Sequence, residues 1–237
     1  MPDLNHIDIV VLCGGFGKRL QPVLSDVPKV LAPFGQKPFL DLMVDYLEAQ
    51  GFGHIILATG YKEDVVRSYF DGRKAGKSFV EYSTEEKPLG TGGAVDHARP
   101  LLKSDLFVVI NGDSFCPLDY PSFIRSHDNH LASVVVSKVE QARDYGTVDF
   151  DPASGQVSGF REKAKSAAGF VNAGIYCFSR HALKMFHQPS SLEKDILPEL
   201  AKQGSLYAYP TDQEFFDIGT PERYSKAQKI LTKAKEK

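Results

Sequence analysis

The sequence predicts an α/β fold, with a Rossmann-like, mostly parallel but mixed sheet that carries helices on both faces. Short apolar segments rich in Ile and Val alternate with segments of helical periodicity, as in strands joined by right-handed crossovers. The first apolar segment, residues 7–13, runs directly into the turn Gly14-Gly15-Phe16-Gly17. A buried strand that ends in a tight glycine turn is typical of the ligand-binding edge of such a sheet.

The first half of the chain repeats this alternation. After the strand at 7–13 we expect helices near 38–50, 62–70 and 91–102, and strands at 54–59, 79–82 and 106–112. The first helix is indicated by apolar residues at helical spacing from Phe39 to Leu47 and by Gly51, which suits a helix end.

The rhythm changes after Asp113, where connections become shorter. We expect further strands, some of them antiparallel, at 132–139, 147–151, 156–162 and 169–179, then helices near 179–187 and 192–203, a strand at 206–209 and a strand-like segment at 215–219. A last amphipathic helix is predicted from Pro221, because Thr220 supplies a capping hydroxyl and proline suits the first turn.

Size and charge limit the function. The chain has 237 residues, which suits a single domain over 1–237 with one substantial core. A net charge of -2 argues against a nucleic-acid partner or an anionic membrane surface, since either requires an excess of Lys and Arg. The apolar run near the N-terminus is too short to span a bilayer, and we expect a cytoplasmic protein.

The three cysteines, Cys13, Cys116 and Cys177, are widely spaced and lie beside apolar residues. No C-x-x-C pair and no histidine at ligand spacing accompanies them. We therefore expect buried reduced thiols rather than disulfides or a zinc site.

The glycine turn suits polyphosphate, because backbone N–H groups free of side chains can surround it. Arg19 can grip two phosphate oxygens, and Lys29 acts as a point charge. The turn is neither the dinucleotide fingerprint G-x-G-x-x-G nor a P-loop. Taken alone, it is equally compatible with a plain strand-to-helix turn.

Two aspartates follow strand-like segments. Asp113 comes directly after the strand at 106–112, at the carboxyl end where open α/β sheets bind ligands. Asp217 lies in a second such segment that also ends in glycine. A single aspartate after a strand is more often a turn or cap residue than a metal ligand.

Taken together, these segments resemble the sugar-1-phosphate nucleotidyltransferase family, whose fold is glycosyltransferase-A-like. The resemblance covers residues 9 to 224, and its motifs occur in the family's order: L12-C-G-G-F-G-K-R-L-Q-P22, P28-K-V-L-A-P33, L89-G-T-G-G-A94, N111-G-D113, Y145-G-T-V148, F160-R-E-K163, N172-A-G-I-Y176 and F216-D-I-G-T220. It implies a nucleotide-binding half at about 1–115 and a sugar-phosphate-binding half at about 116–237.

The resemblance also implies roles for individual residues. Those implied to hold the nucleotide are Leu12, Gly14, Gly15, Gly17, Glu85, Gly90 and Thr91. Those implied to hold the sugar phosphate are Gly146, Glu162, Lys163, Asn172 and Gly174. Asp113 and Asp217 would bind Mg²⁺, a cation that prefers carboxylate and phosphate oxygens. The family's proline after the Glu-Lys pair is Ala164 here, which leaves the geometry of that turn open.

The implied reaction joins a nucleoside triphosphate to a sugar 1-phosphate and releases pyrophosphate. A sugar-phosphate oxygen attacks the α-phosphorus in line, and because this oxygen is already anionic, no general base and no enzyme nucleophile are needed. Arg19, Lys29, Lys163 and Mg²⁺ would offset the charge of the two anions. Arg19, Lys29, Asp113, Lys163 and Asp217 are thus the candidate catalytic residues.

Glu85 favours GTP, because a carboxylate can accept from both N1–H and N2–H₂ of guanine, whereas uracil and thymine offer one such donor. Transfer of a uridylyl or thymidylyl group remains an alternative, since Glu86 is adjacent and some uridylyltransferases of the family also carry acidic residues at this place. Residues 85–94 most resemble family members that use D-glycero-α-D-manno-heptose 1-phosphate, with mannose 1-phosphate as the alternative. A homodimer is expected by analogy alone.

Two other functional classes are compatible with parts of the sequence pattern. A dinucleotide oxidoreductase needs the missing glycine spacing and an acidic residue closing the second strand, where Thr59 stands. A non-catalytic nucleotide-sugar sensor could share the fold. A sensor would not need all five candidate catalytic residues. Because all five are present, the sequence favours an enzyme.

Overall fold

The computed structural model describes residues 3–24, 27–73, 76–140, 142, 146–161 and 168–234. Its strands are β1 (Asp8–Leu12), β2 (Pro33–Phe34), β3 (Lys37–Pro38), β4 (His54–Thr59), β5 (Phe79–Thr84), β6 (Leu106–Asn111), β7 (Ser114–Phe115), β8 (Ala132–Val139), β9 (Thr147–Phe150), β10 (Val157–Arg161), β11 (Gly169–Ser179), β12 (Leu206–Thr211) and β13 (Phe216–Asp217). Its α-helices are α1 (Gln21–Leu24), α2 (Phe39–Ala49), α3 (Glu63–Asp71), α4 (Gly90–Ala98), α5 (Tyr120–His127), α6 (Leu197–Lys202) and α7 (Pro221–Ala234).

The first half of the chain builds the parallel part of the sheet. β6, β1, β4 and β5 lie side by side in that order and are parallel. The middle strand β1 is buried on both faces, which is why Ile9, Val10 and Val11 form an unbroken apolar run. The four strands predicted in this half are confirmed.

The second half adds the mixed part to the same sheet. The 11-residue strand β11 is antiparallel to β6 on one edge and to β8 on the other, and β12 continues parallel to β8. β9 pairs with the start of β11 and carries β10. The register of β11 against β8 shifts between Asn172 and Tyr176, and Gly174 lies in this bulge with φ +71°. The prediction of further, partly antiparallel strands is confirmed.

Helices cover both faces of the sheet. Ile9 and Val11 of β1 pack in a core with α2, α3 and α5, whereas Val10 faces a second core with α4 and α6. Successive side chains of a strand point to opposite faces, so one short segment serves both cores. The predicted fold class is confirmed.

Some predicted elements differ in the structure. The helix expected near 179–187 is a 3-10 helix, Arg180–Met185, because Phe186 turns to an extended conformation and is buried in the core. The helix expected near 192–203 opens with a π-helical turn, Leu192–Ile196, before α6. Helix α5 was not predicted, although Asp119 caps it by accepting from the Ser122 N–H at 3.1 Å.

The three thiols are buried and unbridged, as expected. Among the described residues, no helix combines the length and apolar character that crossing a membrane requires.

Candidate active site

The glycine turn leaves β1 at the carboxyl edge of the sheet. Gly14 approaches Glu85 so closely that an added Cβ would lie 2.7 Å from Glu85 Oε1. Around Gly15, by contrast, no atom lies within 4 Å of the corresponding position. The turn therefore packs against the protein at Gly14 and faces open space at Gly15.

A cleft of about 390 Å³ opens beside this turn. It lies between the turn, the segment that follows β5 and the end of β6, at the edge where open α/β sheets bind ligands. The residues that line it are Leu12, Gly14, Gly15, Phe16, Ala58, Glu85, Pro88, Gly90, Thr91, Ala94, Asn111, Asp113 and Glu193. The structure thus brings together six of the seven residues expected to hold the nucleotide, and Asp113 as well.

Gly17, the seventh, ends the turn and does not line the cleft. It has φ +58°, and an added Cβ would meet Lys29 Cβ at 2.7 Å. Only glycine adopts this backbone conformation at little cost, and the missing side chain lets Lys29 pack against the turn. Lys29 therefore packs beside the last residue of the turn, and its Nζ pairs with Asp113.

The Glu85 carboxyl forms one wall of the cleft. Its Oε2 accepts the Leu89 N–H at 3.1 Å, and Oε1 lies against Gly14 and Gly60. Burial raises the pKa of this carboxyl, partly offset by the Leu89 N–H and the nearby His97. A half-buried carboxylate with accepting capacity left over can bind paired N–H donors of a ligand.

Gly90 and Thr91 dock the start of α4 onto the segment before α6. Gly90 has φ +78°, with Ser190 O 2.3 Å from where its Cβ would be. The Thr91 hydroxyl donates to Glu193 Oε2 at 2.8 Å and accepts the Leu192 N–H at 2.8 Å. The Thr91 side chain is therefore engaged within the protein, and its remaining role toward a ligand is to line the wall.

Asp113 and Asp217 lie on neighbouring backbone segments. β7 and β13 form a two-stranded ladder in which Asp217 is opposite Ser114, and the Ile218 N–H donates to Asp113 O at 2.9 Å. Asp113 lines the cleft, whereas Asp217 is 7% exposed and accepts the Gly219 N–H at 2.7 Å. The two aspartates, far apart in sequence, thus lie on hydrogen-bonded neighbouring backbone segments.

Cationic side chains accompany both aspartates. Lys29 Nζ forms an ion pair with Asp113 Oδ2, and its side chain is 12% exposed. Arg19 Nη2 lies 3.8 Å from where a Cβ at Gly219 would be, two residues from Asp217. Arg19, Lys29, Asp113 and Asp217 therefore form one cluster beside the glycine turn.

The residues expected to bind the sugar phosphate are only partly described. Asn172 Nδ2 donates to Tyr176 Oη at 2.9 Å, and Asn172 Oδ1 accepts the Gly174 N–H at 2.9 Å. Gly146 is exposed, precedes β9 and does not line the cleft. Glu162 and Lys163 lie outside the described residues.

Sequence reasoning missed three residues of this site. Asn111 and Glu193 line the cleft, and Asn111 Oδ1 is buried without a hydrogen-bond partner among the described residues. Arg223 contacts both oxygens of Asp217 at 3.1 and 3.2 Å. Asn111 lay inside a quoted motif, but nothing in sequence spacing indicates that Glu193 or Arg223 reaches this edge.

The chain is similar to known nucleotidyltransferases over most of its length. A sequence model of the family described as nucleotidyl transferase matches residues 8–234. The D-glycero-alpha-D-manno-heptose 1-phosphate guanylyltransferase of Aneurinibacillus thermoaerophilus is 35% identical over 95% of this chain and 98% of its own length. The mannose-1-phosphate guanylyltransferase catalytic subunit beta of Xenopus tropicalis is 36% identical over 91% of this chain, which spans 62% of that relative.

A solved structure matches over nearly the whole chain. HddC from Yersinia pseudotuberculosis, crystallised in complex with GMP-PN, is 36% identical and superposes with a TM-score of 0.86. The match covers 95% of this chain and 99% of that one. The chain therefore belongs to the nucleotidyl transferase family, which confirms the resemblance drawn from its sequence.

Proposed function

We propose that this protein transfers a guanylyl group from GTP to D-glycero-α-D-manno-heptose 1-phosphate, giving the GDP-sugar and pyrophosphate. The observation that carries the proposal is the Glu85 carboxyl in the cleft wall, with the glycine turn and the paired aspartates on the same edge of the sheet. The relatives that match this chain over nearly their full length and bear the name of this activity support the choice of base and sugar.

In this proposal Glu85 selects the base. Guanine presents N1–H and N2–H₂ on one edge, and two donors require two accepting positions close together. One Glu85 oxygen already takes the Leu89 N–H, yet each carboxylate oxygen has two lone pairs, so the group can still accept both guanine donors.

The glycine turn and its cations hold the triphosphate. Open space at Gly15 lets backbone N–H groups approach phosphate oxygens, and Lys29 and Arg19 lie next to the path that the phosphates would take. Because both substrates are anions, their mutual repulsion is the main obstacle to reaction, and fixed cations reduce it.

A divalent cation is used generally in this family, and we propose Mg²⁺ held by Asp113 and Asp217. The donor set fits a hard cation, because two aspartates lie on hydrogen-bonded neighbouring segments, Asp113 on the cleft and Asp217 largely buried behind it. Mg²⁺ commonly takes one or two carboxylates and completes its shell with water and substrate phosphate. When bound, it would polarise the α-phosphate and neutralise charge on the leaving pyrophosphate.

The sugar 1-phosphate would lie on the β11 side of the cleft. We propose that Asn172 and the backbone at Gly146 and Gly174 bind its hydroxyls, with Glu162 on the ring and Lys163 on the phosphate. The phosphate oxygen forms a bond to the α-phosphorus of GTP as the bond to the β-phosphate oxygen breaks. The chain's residues orient and neutralise the two anions, and no proton needs to be removed.

Mannose 1-phosphate is the second candidate acceptor, because relatives named for that sugar match at similar identity. The test is a panel of GTP, UTP, CTP and dTTP against manno-heptose 1-phosphate and mannose 1-phosphate, followed by pyrophosphate release. GTP with the heptose phosphate should give the highest kcat/KM. A higher value with UTP or dTTP would contradict the role of Glu85, and a higher value with mannose 1-phosphate would replace the sugar assignment.

A further inference from the structure

Arg223 contacts the carboxylate proposed to hold the metal. Its Nη1 donates to Asp217 Oδ1 at 3.2 Å and to Oδ2 at 3.1 Å, and the Gly219 N–H reaches Oδ1 at 2.7 Å. Asp217 is 7% exposed and the Arg223 side chain 24%. A largely buried carboxylate is therefore paired with a guanidinium group of the same chain.

The backbone fixes Arg223 at this place. Thr220 caps α7 by accepting the Arg223 N–H at 3.3 Å through Oγ1 and the Tyr224 N–H at 2.9 Å through its carbonyl. Tyr224 Oη also donates to Pro33 O at 2.6 Å, which ties the helix to the β2–β3 hairpin. The first turn of α7 is anchored, so the guanidinium stays within reach of Asp217.

Asp113, the other proposed metal ligand, is also paired with a cationic side chain. Lys29 forms an ion pair with Asp113, and Arg19 and Arg223 both approach Gly219, each 3.8 Å from where its Cβ would be. A divalent cation that arrived alone would meet these fixed positive charges, which repel it. A triphosphate that carries the cation supplies negative charge that offsets both the cation and these side chains.

We propose that Arg223 is a positioning residue that keeps the nucleotide-free site from taking a divalent cation, so that the cation enters together with the triphosphate. This inference rests on the proposed function, because it assumes that Asp113 and Asp217 are the metal ligands. Arg223 holds the Asp217 carboxylate in place and weakens its attraction for a free cation. The cation then becomes favourable only when phosphate oxygens complete its shell.

A purely structural role for Arg223 predicts the opposite response to its removal. If the guanidinium only oriented Asp217, a neutral replacement would loosen the carboxylate and weaken metal binding. If its charge excludes the free cation, a neutral replacement strengthens binding in the absence of nucleotide. The sign of the change therefore separates the two roles without any measurement of turnover.

The experiment titrates the full-length protein with Mn²⁺ alone and counts free Mn²⁺ by electron paramagnetic resonance. Two unit charges 4 Å apart interact by about 1 kcal/mol even in water, and a divalent ion doubles this, so Arg223→Gln should bind Mn²⁺ at least about tenfold more tightly than wild type. Arg223→Lys keeps the positive charge, and its affinity for Mn²⁺ should stay as low as that of wild type. Lys226→Ala, which removes an exposed cation one turn farther along α7, should match wild type.

Mn²⁺ binding to Arg223→Gln that is no tighter than to wild type overturns the inference. Binding to Arg223→Lys that is as tight as to Arg223→Gln overturns it as well. Thermal unfolding of each variant checks that the fold is intact. Adding Asp217→Asn to the Arg223→Gln variant should abolish the gained affinity. If the gain survives, the cation binds elsewhere, and the metal assignment of the proposed function fails rather than the role of Arg223 alone.

Discussion

Replacement of Glu85 by glutamine should change which nucleotide the protein uses. The side chain keeps its size, so its packing against Gly14 and Gly60 is retained, but one accepting oxygen becomes an NH₂ donor. That donor must face either guanine or the Leu89 N–H that now reaches Oε2 at 3.1 Å. A lost hydrogen bond to a charged group is worth about 1.5–3 kcal/mol, so kcat/KM for GTP should fall by roughly 10- to 100-fold.

The assay compares pyrophosphate release with GTP and with UTP at a fixed concentration of sugar 1-phosphate. UTP should lose little, since uracil offers one donor on this edge, and the ratio of GTP to UTP should therefore fall. Glu86→Gln is the matched control, because Glu86 is adjacent but exposed. An unchanged GTP to UTP ratio in Glu85→Gln, or an equal change in Glu86→Gln, would refute the assignment of Glu85 to the base.

The same carboxyl predicts a pH dependence. Burial raises the pKa of Glu85, so the carboxyl takes up a proton at a higher pH than an ordinary glutamate does as the solution is acidified. Protonation removes an accepting position for guanine. The acidic decline of kcat/KM for GTP should therefore begin at a higher pH in wild type than an ordinary glutamate would give. The part of this decline that is due to protonation of Glu85 should be absent in Glu85→Gln. The same acidic decline of kcat/KM in both proteins would contradict the prediction.

Three further outcomes follow from the described contacts. Gly15→Ala should fold normally, because no atom lies within 4 Å of the added Cβ, but the methyl group should fill ligand space and raise KM for GTP at least about tenfold. The control is Gly159→Ala on β10, where the added Cβ also meets no atom within 4 Å, and KM should be unchanged. Lys29→Ala should lower kcat by on the order of 10²-fold through loss of a fixed charge near the phosphates, and near-normal turnover would exclude that role. Arg73→Ala should lower the free energy of unfolding by about 3 kcal/mol in urea titrations, because it leaves the largely buried Asp41 and Glu48 carboxylates without their guanidinium partner. Arg125→Ala, which removes an exposed side chain of α5, should cost less than about 1 kcal/mol.

Strands and the nucleotide side of the cleft were predictable from the sequence for a physical reason. A strand buried on both faces must be apolar throughout, and a turn that approaches a ligand or a neighbouring carboxylate must be glycine, so both leave a local signal at β1 and Gly14. The pairing of Asp113 with Asp217 was expected only from the family resemblance, since local spacing carries no information about the β7–β13 ladder.

What the sequence did not reveal depends on tertiary packing. Helix α5 was not predicted because it has only eight residues, and a short capped helix has the same local sequence pattern as a capped turn between strands. The helix Arg180–Met185 ends where Phe186 becomes extended and enters the core, a tertiary contact that the local sequence pattern does not indicate. Glu193 contacts Thr91, which lies 102 residues away in the chain. Arg223 is only six residues beyond Asp217, but local spacing does not show that the first turn of α7 directs its side chain back to that carboxylate.

The central claim is that a sugar-phosphate oxygen attacks the α-phosphorus of GTP in this cleft. Phosphorus NMR of the protein with Mg²⁺, GTP and manno-heptose 1-phosphate labelled with ¹⁸O in its phosphate tests it most directly. The account predicts a GDP-sugar with ¹⁸O in the bridge between its two phosphorus atoms, together with unlabelled pyrophosphate. Label in the pyrophosphate, or conversion of GTP to GDP and phosphate with the sugar phosphate left intact, would contradict it.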